Sequence, residues 1–97
     1  MKTYYVYMVR CSDESFYVGI TNNPEIRLAQ HNLGIDPGCY TFTRRPVILV
    51  HASEFREVAD AISWEKRLKG WSRAKKRALI ANDWAEIHRL ARCRSKR

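Results

Sequence analysis

The stretch YVYMVRCSDESFYVG, residues 5–19, constrains the fold more than any other part of the chain. Apolar and aromatic residues alternate on either side of a short polar break, the pattern of two strands joined by a turn. A strand sends successive side chains to opposite faces, so parity sorts them. The even positions, Tyr4, Val6, Met8, Phe16, Val18 and Ile20, make a core face. The odd positions, Tyr5, Tyr7, Val9, Tyr17, Gly19 and Thr21, make an aromatic but hydroxylated face, with a glycine that keeps one place open. A three-residue loop at Ser12-Asp13-Glu14 pairs odd with odd, whereas a two-residue turn would pair odd with even. The longer loop needs a left-handed residue, a place suited to glycine that Glu14 has to fill. In this register Tyr7 and Tyr17 are direct or diagonal neighbours.

The segment NNPEIRLAQHNLG follows as a helix: Asn23 caps it, Pro24 takes its first turn, Glu25 complements its dipole and Gly34 stops it. Ile26, Ala29 and Leu33 are its expected buried stripe. Residues 34–45 read as a loop with a turn at Asp36-Pro37-Gly38. PVILVHASEF reads as a third strand, and residues 56–70 as a helix with Val58, Ala61, Ile62 and Leu68 inward. Gly70 ends that helix, Ser72 caps another from about Arg73 to Ala81, and Asn82 or Asp83 caps a last one with Trp84, Ile87 and Leu90 inward. The order predicts an α+β fold, a small three-stranded antiparallel sheet flanked by helices. Residues 1–81 are the expected main body, and residues 82–97 a helical extension with a basic tail.

Charge is lopsided. Residues 1–63 have a balance of −1 and residues 64–97 a balance of +9, within a chain of net charge +8. Such a basic half points to a polyanion, nucleic acid first and an anionic membrane second; its plain alternative is a solvated helical face with a tail. The start lacks a secretory signal pattern and no apolar run reaches the length of a membrane span, which points to a cytoplasmic protein that enters no membrane. Cys11, Cys39 and Cys93 include no C-x-x-C pair, so neither a zinc site nor a disulfide framework is expected and all three are read as inert.

Arg27 and His31 stand four apart on the first helix, about 40° from each other around its axis. Spacing alone favours an ordinary surface pair, the sharper reading being a phosphate clamp with a proton-handling neighbour. Glu65 falls inside an apolar stripe, where a carboxylate costs several kcal/mol unless a cation meets it, so roughly a few by general scale. Lys69 offers an i,i+4 salt bridge; a divalent metal is the equal alternative. Trp64 and Trp71 read as packing, with Trp71 also able to stack on a base. His51 and His88 read as structural or solvated.

Together these residues resemble the GIY-YIG endonuclease superfamily. The two triplets fall on Tyr5-Val6-Tyr7 and Tyr17-Val18-Gly19. PEIRLAQHN matches the helix motif through Arg27 and His31, and AISWEKRLKGWSRAKKRALI matches the acidic helix at Glu65. The likeness covers residues 3–80 and is strongest to small stand-alone bacterial members, which share YT…RRPV and KGW-S-R-A-K-K segments. Tyr5 stands where the family name has its first glycine, and no counterpart is assigned to the additional polar residue of some members, Asn82 being in a cap.

The resemblance implies a phosphodiester hydrolase acting on nucleic acid, DNA foremost, with one Mg²⁺ or Mn²⁺ ion. By that resemblance, Tyr7 is the general base or water-positioning residue and Tyr17 contacts the water or the phosphate. Arg27 stabilises the phosphoryl oxygens, His31 supports proton transfer, and Glu65 holds the metal. Arg27, His31 and the ion are expected to lower the Tyr7 pKa, and Gly19 to leave room for a phosphate. The expected nucleic-acid contacts are Tyr40, Arg44, Arg45, Lys69, Arg73, Lys75 and Lys76. Larger members carry extra DNA-binding domains, so cleavage here is expected to be weak, structure-directed or dependent on a protein partner for targeting. A non-catalytic nucleic-acid-binding module is the rival reading, and a protein-interaction or membrane-surface module the third.

Overall fold

The computed structural model describes residues 2–95, with side chains from 2 to 92; Lys96, Arg97 and the side chain of Cys93 lie outside the described residues. Strands β1 (Tyr4–Arg10) and β2 (Phe16–Thr21) form the hairpin, followed by α1 (Pro24–Leu33), β3 (Ile48–Phe55), α2 (Val58–Lys69), α3 (Arg73–Ile80) and α4 (Trp84–Ser95). The sheet is antiparallel in the order β2-β1-β3, as the alternation and turn residues predict.

The hairpin loop decides the register. Cys11 and Ser15 close it through Cys11 N–H to the Ser15 carbonyl (2.8 Å), and Glu14 N–H returns to the Cys11 carbonyl (2.9 Å). Glu14 adopts the left-handed φ of 68° that this turn requires, at the cost a non-glycine residue pays there. Odd pairs with odd: Tyr7 faces Gly19 and Val9 faces Tyr17, so the two tyrosines are diagonal neighbours.

Each face of the sheet has its own cover. On the even face Val6, Met8 and Val18 pack with Ala61 and Leu68 of α2, Ala78 and Leu79 of α3, and Ile87 of α4. On the odd face a smaller cluster of Tyr7, Val9, Cys11 and Val47 meets Tyr17, Leu28 and Leu49. A register shift between Met8 and Val9 in the β1–β3 pairing brings Leu49 opposite Val9.

The capping signals hold. Asn23 accepts from Ile26 N–H, Pro24 begins α1 and Gly34 closes it at φ 69°. Ser72 accepts from Lys75 N–H, and Asp83 rather than Asn82 accepts from Glu86 N–H.

Of three expected stripes, that of α1 fails and those of α2 and α4 hold only in part, at Ala61, Leu68 and Ile87. Ile26, Ala29 and Leu33 face solvent, while Leu28 and His31 turn to the sheet. The odd face offers hydroxyl partners, and a buried imidazole hydrogen-bonded at both nitrogens satisfies it better than a leucine does. On α2, Val58 and Ile62 are exposed, and the inward set is Ala61, Trp64, Glu65 and Leu68, an i, i+3, i+4, i+7 face. Trp84 is likewise exposed at the start of α4, its indole N–H donating to Asn82.

Candidate active site

Tyr7 sits at the centre of the odd face, 1 % exposed. Its ring lies over Gly19, where an added Cβ would come within 2.6 Å of the phenol oxygen. The place expected to stay open for a phosphate is therefore filled by Tyr7 itself, and the glycine serves the tyrosine. The Tyr7 hydroxyl is 2.8 Å from His31 Nε2, and His31 Nδ1 is 2.7 Å from Thr41 Oγ1. Thr41 in turn donates to Cys39 Sγ at 3.3 Å. Tyr17 completes the cluster, its ring centroid 6.4 Å from that of Tyr7 and 5.4 Å from that of His31. Arg27 donates to Gln30 at 3.2 Å, and its guanidinium is near enough to the Tyr7 phenol to act on its titration. Beside this cluster opens a cavity of about 80 Å³ bordered by Arg27, His31, Cys39 and Thr41.

Of the influences expected on the Tyr7 phenol, Arg27 acts downward as the resemblance implies, but burial is the stronger. Burial pushes the Tyr7 phenol above its ordinary pKa, and the opposing Arg27 guanidinium does not reverse it. Burial, then the Arg27 charge, holds His31 below the usual imidazole range. His31 is thus a neutral imidazole near pH 7 and cannot act as a cation on Tyr7. Burial also raises the Tyr17 phenol, joined by Cys39 and by the negative charge of Glu65, with Arg27 opposing. For Cys39 burial acts upward, but hydrogen bonds from Thr41 and Tyr17 together bring the thiol below its ordinary value. Cys39 is part of the polar cluster through Thr41 and His31, whereas Cys11 is buried with its thiol pushed up by burial.

Glu65 approaches from the other side. Because α2 covers the even face, its carboxylate acts on this site across the β2 edge, where Tyr17 feels its charge. The side chain is half-buried and paired with Lys69 Nζ at 2.6 Å, the salt bridge that the i,i+4 spacing offers. One hard carboxylate suits Mg²⁺ or Mn²⁺, which commonly take one or two protein carboxylates and complete the shell with water and substrate phosphate. The donor at Glu65 fits such an ion provided Lys69 moves aside.

The expected nucleic-acid contacts fall into two groups. Lys69 and Lys76 border a groove of about 240 Å³ with Phe16, Tyr17, Val18 and Tyr40. Tyr40 stacks on Tyr17 with centroids 6.1 Å apart and 15° between planes. The others are engaged within the chain. Arg44 lies 3.8 Å over the Tyr40 ring and pairs with Asp13 at 3.0 Å. Arg45 lies over Phe42 and donates to its carbonyl. Arg73 pairs with Glu14, and Lys75 lies over Trp71. Trp71 packs edge-on against Trp64, so it is a packing residue in this arrangement. His51 bonds to Ser53 within β3.

Sequence reasoning missed Thr41 and misjudged Cys39. Both come from the loop of residues 34–45, held down by the Asp36 turn and by the Tyr40–Tyr17 stack. Loop residues have no periodicity to betray their burial; the only sequence signal was that Thr41 belongs to the YT…RRPV segment.

The sheet thus has a tyrosine–histidine–arginine cluster on one face and the Glu65-bearing helix α2 over the other, an arrangement that agrees with the class of small nuclease-type domains to which the family match points. The model of the family described as GIY-YIG catalytic domain matches residues 3–78, and the chain belongs to that family. Such a domain implies nuclease-type activity on nucleic acid. A UPF0213 protein of Staphylococcus haemolyticus is 44% identical over 80 residues, covering 82% of this chain and 96% of the relative. A UPF0213 protein of Natronomonas pharaonis is 42% identical over 80 residues, 82% of this chain and 93% of that one. The solution NMR structure of protein EF2693 from E. faecalis superposes with a TM-score of 0.59 at 37% identity, covering 84% of this chain and 86% of that one. The NMR structure of the UPF0213 protein BH0048 from Bacillus halodurans gives 0.53 at 35%, covering 81% and 83%. Among the described residues no helix is long and apolar enough to cross a membrane.

Proposed function

We propose that this chain is a metal-dependent endonuclease that hydrolyses phosphodiester bonds of nucleic acid, DNA foremost, at the Tyr7–His31–Arg27 cluster. The observation that carries the reading is the hydrogen bond of 2.8 Å between the Tyr7 hydroxyl and His31 Nε2, both groups buried. A phenol raised above its ordinary pKa is a poor base by itself. Beside a neutral imidazole it can receive a proton from the attacking water while passing its own to Nε2. Arg27 neutralises charge developing on the phosphoryl oxygens. Tyr17, diagonal to Tyr7, orients the water or the phosphate.

Glu65 would hold one Mg²⁺ or Mn²⁺, with Lys69 released toward the substrate backbone. When bound, the ion supplies electrostatic stabilisation of the phosphate and the leaving oxygen. Lys69, Lys76 and Tyr40 border the groove next to Tyr17 and would carry the strand, Arg73 and Lys75 extending the basic surface on α3. Arg44 and Arg45 act there by fastening the loop as well as by charge. In this reading residues 1–81 are the nuclease body and residues 82–97 an extension, which packs on that body at Ile87. A cytoplasmic setting and a targeting partner complete the proposal.

The test is incubation of the purified chain with branched and linear DNA and RNA in Mg²⁺ or Mn²⁺, beside Glu65→Ala. Metal-dependent nicking that vanishes in the folded variant is the expected result. Cleavage that persists in Glu65→Ala removes Glu65 from the site. Salt-dependent binding without cleavage in either metal points instead to a binding module.

A further inference from the structure

Two residues outside the family likeness in role, Thr41 and Cys39, stand in line behind His31. The Thr41 side chain is 1 % exposed, and its hydroxyl has one proton to give. With that proton directed at Cys39 Sγ, 3.3 Å away, the oxygen is left to accept from His31 Nδ1 at 2.7 Å, and Cys39 Sγ itself stands 3.8 Å from the same nitrogen. At the other end, the proton of the buried Tyr7 hydroxyl has one acceptor in reach among the described residues, His31 Nε2 at 2.8 Å. Both ends give the chain of hydrogen bonds the same polarity: Tyr7 to His31, His31 to Thr41, Thr41 to Cys39. The reverse arrangement would set the imidazole N–H against the phenol oxygen and leave the Tyr7 proton without a partner among the described residues.

We infer that Thr41, backed by Cys39, is a positioning residue that fixes His31 as the Nδ1–H tautomer, so that Nε2 faces Tyr7 as a bare acceptor. Its catalytic consequence rests on the nuclease reading above, whereas the tautomer itself does not. A wrong tautomer would present an N–H to the phenol and block the proton's exit. Cys39 is the sink of the chain, taking the Thr41 proton at 3.3 Å. Polar side chains flanking a buried imidazole commonly decide which nitrogen carries the proton.

The experiment is a long-range ¹H–¹⁵N correlation on ¹⁵N-histidine protein above the imidazole titration range. The wild-type protein is expected to give His31 a pyrrole-like Nδ1 and a pyridine-like Nε2. Thr41→Val keeps the side-chain shape but accepts no hydrogen bond; it should move His31 toward the Nε2–H form, and Thr41→Ser should restore Nδ1–H. On a branched DNA substrate with Mg²⁺, kcat should fall by roughly 10²-fold or more in Thr41→Val, with KM little changed and recovery in Thr41→Ser. A wild-type Nε2–H tautomer, or a Thr41→Val spectrum like the wild type, overturns the inference without recourse to a variant's activity. Lack of cleavage by the wild-type protein, with the Nδ1–H tautomer present, counts against the nuclease reading alone.

Discussion

Tyr7 and Met8 are neighbours on β1 and both are buried, yet their burial does opposite things. Met8 enters a cluster built from three helices and the sheet, where apolar area removed from water is the whole return. Tyr7 enters a thin layer of rings, hydroxyls and one imidazole, where burial changes which groups hold protons. One strand therefore anchors the fold with one face and, in the function proposed, builds the chemistry with the other. Stability and activity should come apart when the two faces are altered separately.

Met8→Ala gives the largest expected effect on stability, a loss of about 2–5 kcal/mol for a truncated core side chain. Thermal or urea denaturation measures it, and cleavage per folded molecule should stay near the wild-type level. Arg27→Ala is the counterpart on the odd face. Arg27 is largely exposed, so the melting temperature should hardly move, while kcat should drop by about 10²–10³. If the arginine variant lost mainly stability, the division of labour between the faces would fail.

Gly19→Ala probes the contact between strands. The new Cβ would press on a phenol oxygen with little room to retreat, at a cost of about 1–3 kcal/mol for overpacking. Because the displaced group is the Tyr7 hydroxyl, cleavage should fall more steeply than stability, and kinetics paired with denaturation measure both. A variant with normal kcat would mean that the placement of the phenol over Gly19 is unimportant.

Much of this fold was legible in the sequence. Parity assigned the two faces of the hairpin, an odd loop fixed the register, and Asn23, Pro24, Gly34 and Ser72 marked helix ends whose backbone needs are local. What stayed hidden depends on partners distant in sequence. The apolar residues Ile26 and Leu33 suggested the inward face of α1, but His31 is drawn inward by hydroxyls from β1 and from the loop. Val58 and Ile62 misled in the same way, since Trp64 and Glu65 take the inward positions on α2. The grouping of Tyr7, Tyr17, Arg27 and His31 was implied by the family resemblance, since spacing alone favoured a surface pair at Arg27 and His31; Thr41 and Cys39 lie in a loop whose burial no local rule encodes.

The smallest expected effect is on pH. His31 and His51 both sit below the ordinary imidazole pKa, through burial and, for His31, the Arg27 charge as well. The unfolded chain therefore binds more protons than the folded one as pH falls through about 6.5. Stability is fully present above that value and declines from there toward the lower folded pKa values. Melting temperatures across this window should slope downward on acidification, less so in His31→Gln, and a flat profile would show that neither imidazole is held neutral.

The account rests most heavily on the Tyr7 hydroxyl, and single-turnover cleavage by Tyr7→Phe in Mg²⁺ tests it directly. The variant keeps the ring over Gly19, so circular dichroism should report a folded chain. The expected result is a rate lowered by about 10²–10⁴, the scale of a lost general base. A rate within a factor of about two of the wild type, far below that scale, would contradict the assignment.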